Sequence, residues 1–77
     1  MYYVKFDNGA YDWEIHFFKK KENAVQLAKE IFIEDILSDY GLNGEQFLKL
    51  YQCDLLAIEH GSYFNDRLEI QEIKTED

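Results

Sequence analysis

The chain contains no proline and only one cysteine, Cys53. A lone thiol excludes an internal disulfide, and a small chain without that staple suits a reducing interior, so the sequence reads as cytoplasmic. Its four glycines, Gly9, Gly41, Gly44 and Gly61, are scattered and form no phosphate-cradling loop. No apolar run approaches the ~20 residues of a membrane-spanning helix, and MYYVKFDNGA lacks the basic-then-apolar pattern of a signal peptide. Cations are scarce in one long stretch: between Glu30 and Glu72 ten carboxylates face only Lys49 and Arg67. The first 29 residues, by contrast, hold four acids and five lysines, so the formal charge of −8 belongs almost wholly to that stretch.

Large apolar groups are plentiful. Six Phe, six Tyr and one Trp, each able to bury roughly 150–250 Å², let 77 residues form one core without metal or disulfide. We expect one domain over residues 1–74 and a polar tail over 75–77.

Met1–Phe6 and Tyr11–Phe18 alternate as strands around Asp7-Asn8-Gly9-Ala10. Asn-Gly suits a two-residue type I′ turn because both residues tolerate positive φ. That turn sets Phe6 opposite Tyr11, Val4 opposite Trp13 and Tyr2 opposite Ile15, all on one inner face, with His16 on the polar face. A helix follows from about Glu22 to Tyr40, with Val25, Ala28, Phe32 and Ile36 at spacings of three and four and Gly41 to end it. Leu27 and Ile31 lie outside that arc and need either another element or a partner. Asn43 and Gln46 fit a capping box for a second helix through Phe47, Leu48, Tyr51 and Leu55. The segment 54–60 fits either a continued helix or a strand. Gly61-Ser62 and Asn65-Asp66 read as turns, and Leu68–Lys74 as a final strand. The expected fold is α+β: an N-terminal β-hairpin, two helices, then one or two C-terminal strands, as an antiparallel sheet with the helices packed on one face.

Nothing in this pattern assembles a reaction. His16 and His60 are the groups that titrate near neutrality, but Cys53 and His60 lack the further ligands of a tetrahedral metal site. Neither Cys53 nor Ser62 sits in a nucleophile motif; the first reads as small core filler and the second as a turn residue. No enzyme activity, metal or cofactor is expected. Lys19-Lys20-Lys21 reads as a solvated junction, since a net negative chain is repelled by phosphate and by anionic membrane.

The acids of the first helix break local rules. Glu30 with Glu34, and Asp35 with Asp39, are like-charged i,i+4 pairs costing about 0.2–0.5 kcal/mol each in isolation, toward a helix end where the macrodipole favours cations. Such unrewarded choices mark candidate functional surfaces. Glu30, Glu34, Asp35 and Asp39, joined by Asp54, Glu59, Glu69 and Glu72, are therefore the expected partner-binding residues, and a basic protein the expected partner.

In its shortness, acidity, wealth of Tyr and Phe and lack of proline, the whole chain resembles in general character the small inhibitors of phages and mobile elements, of the anti-CRISPR and anti-restriction type. The resemblance implies residence in a host bacterial cytoplasm and a mechanism in which carboxylates mimic phosphates and block the nucleic-acid channel of a defence enzyme, with Tyr40, Tyr51 and Tyr63 adding interface area. The expected function is thus that of a non-enzymatic inhibitor or regulator, monomeric or homodimeric. The alternative is an assembly module that self-associates through an apolar helix face.

Overall fold

A computed structural model describes residues 1–8 and 12–74, with the backbone alone for 36–40. Two strands, β1 (Tyr2–Asp7) and β2 (Trp13–Phe18), lead into helices α1 (Lys21–Tyr40) and α2 (Gly44–Glu59), and β3 (Tyr63–Phe64) and β4 (Leu68–Glu72) close the chain. The strands form one antiparallel sheet in the order β2-β1-β4-β3, so the expected α+β architecture holds. Residues 75–77 and the Gly9 half of the expected turn lie outside the described residues.

The helices end where the local chemistry places them. Asn43 accepts from the Gln46 backbone N–H at 2.8 Å while the Gln46 side chain accepts from the Asn43 N–H at 3.3 Å, the reciprocal capping box that starts α2. Segment 54–60 continues the helix through Glu59, and Gly61 takes φ +81°, as Gly41 takes φ +63° after α1. Asn65 makes the last turn, its side chain accepting from the N–H groups of Arg67 and Leu68 at 2.7 Å each.

Between sheet and helices lies an apolar core of Val4, Leu68 and Ile70 from the sheet, Ala24, Ala28 and Phe32 from α1, and Phe47, Leu55 and Ile58 from α2. Phe32 is its hub, meeting the rings of Phe47, Tyr51 and Tyr63 edge-on at 5.6, 5.9 and 5.6 Å. Such pairs add about 0.5–1.5 kcal/mol each beyond the area they bury. Tyr51, at the kink of α2, and Tyr63 therefore belong to the core cluster rather than to an interface rim; the Tyr40 side chain lies outside the described residues. Leu27 and Ile31 pack against the same core, which answers what covers that side of α1.

The hairpin register departs from expectation. Tyr2 pairs with Phe18, Val4 with His16 and Phe6 with Glu14, not with Ile15, Trp13 and Tyr11. The strands are shifted by three residues, and an odd shift turns every β2 side chain to the other face. Phe18 now packs against the core, while Trp13, Ile15 and Phe17 lie on the sheet face away from the helices, 51, 50 and 58% exposed. His16 moves to the helix side, stacked on Phe6 with ring centroids 5.7 Å apart and planes 7° from parallel. The physical reason is at both ends of β2. At one end the Asn8 N–H bonds to the Asp12 carbonyl at 3.1 Å, so the ladder sets Asn8 opposite Asp12, and at the other Phe18 is drawn onto the core.

Candidate functional site: an acidic cleft at the hairpin end of the sheet

Ile31, Glu34 and Asp35 fall at i, i+3 and i+4 and so share one face of α1. That face overhangs the end of the sheet where β1 finishes at Asp7, β2 begins near Glu14, and Arg67 leads into β4. The Asp7 N–H donates to the Arg67 carbonyl at 3.0 Å and fixes this corner. The result is an open cleft of about 510 Å³ with Phe6 and Ile31 as apolar lining and Asp7, Glu14, Glu34, Asp35 and Arg67 as its charged groups. Asp7, Asp35 and Arg67 each take part in polar interactions there. Four carboxylates against one guanidinium leave the cleft net negative whichever of them Arg67 engages.

Of the seven expected site residues whose side chains are described, only Glu34 and Asp35 meet in this cleft. Glu30 is exposed in the groove beside Lys21 and Lys29. Glu59 is ion-paired with Lys29, at 2.8 Å, and that lysine holds its carboxyl below the ordinary range. Asp54 lies beside Tyr63, whose hydroxyl is pushed up chiefly by burial. Glu69 sits on the opposite face of the sheet and accepts from the Tyr3 hydroxyl at 2.5 Å. Glu72 is exposed at the end of β4, and the Asp39 side chain lies outside the described residues. The seven described carboxylates therefore do not form one continuous surface.

Asp7 and Glu14 join the cleft without having been expected. Their signal in the sequence was present but weak: both flank the hairpin turn, and their convergence with α1 depends on tertiary packing. Among the described residues no group of three or more His, Cys, Asp or Glu is placed to hold a metal ion, and no helix is long and apolar enough to cross a membrane. Cys53 is exposed on α2 rather than buried as core filler. His60 caps the end of α2, its N–H bonded to the Leu56 carbonyl at 3.0 Å.

Comparison with protein-family models, curated proteins and solved structures finds no match to this chain.

Proposed function

We propose that the protein acts without catalysis, as an inhibitor or regulator that docks on a basic protein surface, and that its acidic cleft receives a lysine or arginine side chain of the partner. The observation that supports this reading is the convergence of Asp7, Glu14, Glu34 and Asp35, from three separate elements, around one concavity with a single opposing cation. A concave acidic site with apolar lining suits a long cationic side chain, since the stem contacts Phe6 and Ile31 while the head meets carboxylates. The charge of −8 steers such an encounter and repels phosphate. Partners of this kind include nucleic-acid-binding enzymes of bacterial defence, the class implied by the resemblance to phage inhibitors, and for these the protein acts as a nucleic-acid mimic in the host cytoplasm.

The test has two steps. Proteins retained from a bacterial lysate at low salt and released at high salt are identified by mass spectrometry, with a Glu34→Gln/Asp35→Asn variant as the comparison. The protein is then titrated into a preformed complex of that partner with nucleic acid. Displacement by the wild type, weakened in the double variant, is expected. A ternary complex without displacement removes mimicry, and equal retention of the double variant removes the cleft.

A further inference from the structure

β2 is an edge of the sheet among the described residues, six residues long, with register unbroken from Tyr2–Phe18 to Asp7–Trp13. It carries no proline, lysine or bulge, the common protections of an edge strand, and no described segment covers Trp13–Phe17, all of which are exposed. Its alternation is also inverted. Glu14 and His16 face the helix side, and the apolar Trp13, Ile15 and Phe17 face solvent.

The backbone parity follows from the ladder. The Asp7 N–H donates to the Arg67 carbonyl and the Ile73 N–H to the Met1 carbonyl, so odd-numbered residues of β1 bond to β4 and even-numbered ones turn to β2. In the observed register the even-numbered residues of β2 answer them, as the Asn8 to Asp12 bond shows directly. Trp13, Ile15 and Phe17 thus present their N–H and C=O groups outward, at the free edge.

We infer that β2 pairs antiparallel with β2 of a second copy about a two-fold axis through Ile15, giving a continuous eight-stranded sheet. Ladder parity allows only odd residues to oppose odd residues, which leaves few registers. Centring on Glu14 sets two carboxylates against each other, and centring on His16 sets Glu14 against the apolar Phe18 of the other copy. Centring on Ile15 pairs all five residues from Trp13 to Phe17. Ile15 then meets Ile15, Trp13 meets Phe17 twice on the outer face, and Glu14 meets His16 twice on the helix side. This self-complementarity of shape, apolarity and hydrogen bonding, an imidazole N–H facing a carboxylate at each Glu14–His16 pair, commits the edge to a second copy of this chain. The inference does not rest on the acidic-cleft reading: Ile15→Lys and His16→Glu leave the cleft residues untouched, and Glu14→His, which alters one of them, is read by self-association alone.

Sedimentation equilibrium of the full chain from about 1 µM to about 1 mM should show a concentration-dependent shift from 9.2 kDa toward twice that mass. Ile15→Lys, at a half-exposed position, should keep the circular dichroism of the wild type and remain monomeric. His16→Glu alone and Glu14→His alone should each raise the dissociation constant roughly tenfold, because two like or unmatched pairs replace two complementary ones. Mixing these two variants should restore association as a heterodimer, since each His then meets a Glu. A wild type monomeric throughout this range, a folded Ile15→Lys chain that still dimerises, or a mixture that fails to associate overturns the pairing.

Discussion

Tyr3 on β1 donates its hydroxyl hydrogen to Glu69 on β4 across the outer face of the sheet, at 2.5 Å. The bond requires a protonated phenol, and with smaller contributions from burial and from the negative charge of Glu69 it pushes the Tyr3 hydroxyl from 10.0 up to about 12. A group whose folded pKa is raised contributes stability that is fully present below its unfolded pKa and is lost as pH rises through the folded one. The contribution of Tyr3 should therefore hold at neutral pH and disappear between pH 10 and about 12. Ultraviolet titration of the phenolates checks this: Glu69→Ala should bring one tyrosine back toward the ordinary range. Unchanged titration curves in the two proteins would show that Glu69 does not hold Tyr3.

Trp13 and Phe47 separate surface from core. Phe47 is 2% exposed and packs against Phe32 and Tyr51, so Phe47→Ala should cost about 3–5 kcal/mol, enough to unfold a domain of this size. Trp13, half-exposed beside the Lys5 ammonium at 5.3 Å from its ring, should tolerate truncation in dilute solution with a loss of roughly 0.5–1 kcal/mol, the worth of an exposed cation–π contact. Denaturant melts at low concentration measure both. A Trp13→Ala chain as unstable as Phe47→Ala would restore the hairpin face as the core.

That contrast marks where the sequence is legible. The capping box at Asn43, the turn at Asn65 and the two positive-φ glycines each depend on residues within a few positions, and each falls where local chemistry puts it. The hairpin register does not, because apolar residues occupy both parities of β2, with Trp13, Ile15 and Phe17 on one and Phe18 on the other. Asn-Gly offered one answer, and the docking of Phe18 on the core decided for another. The acids follow the same logic. That Glu34 and Asp35 each share a face of α1 with Ile31 follows from spacings of three and four, whereas the addition of Asp7 and Glu14, and the removal of Glu69 to the far face, depend on long-range contacts.

Lys29 and Glu59 join α1 to α2 at 2.8 Å, with both side chains substantially exposed. The ammonium lowers the Glu59 carboxyl from its ordinary 4.5. A depressed folded pKa gives stability that is present above the unfolded value and lost as pH falls through the folded one. Lys29→Met should thus destabilise slightly at neutral pH and not at all in strong acid, and NMR titration should show the Glu59 midpoint rising to the ordinary range. A midpoint indifferent to Lys29 would mean that the pair is not maintained in solution.

Gly41 and Gly61 both take left-handed φ, at +63° and +81°, but their surroundings differ. A Cβ at Gly41 meets nothing within 4 Å, while one at Gly61 lies 2.9 Å from Tyr2 Cε1 and 3.3 Å from Lys21 Cε. Alanine at either position incurs the left-handed strain of about 1–2 kcal/mol, worth roughly 4–8 °C per kcal/mol in a domain of this size. Gly61→Ala must in addition displace the half-buried Tyr2 ring, which packs against the core, so its melting temperature should fall further than that of Gly41→Ala. Asparagine distinguishes the two causes because it tolerates the left-handed region. Gly41→Asn should recover most of the loss and Gly61→Asn should not, since the clash with Tyr2 is steric and remains. Equal recovery at both sites would show that the Tyr2 ring yields freely and that only backbone conformation selects glycine at position 61.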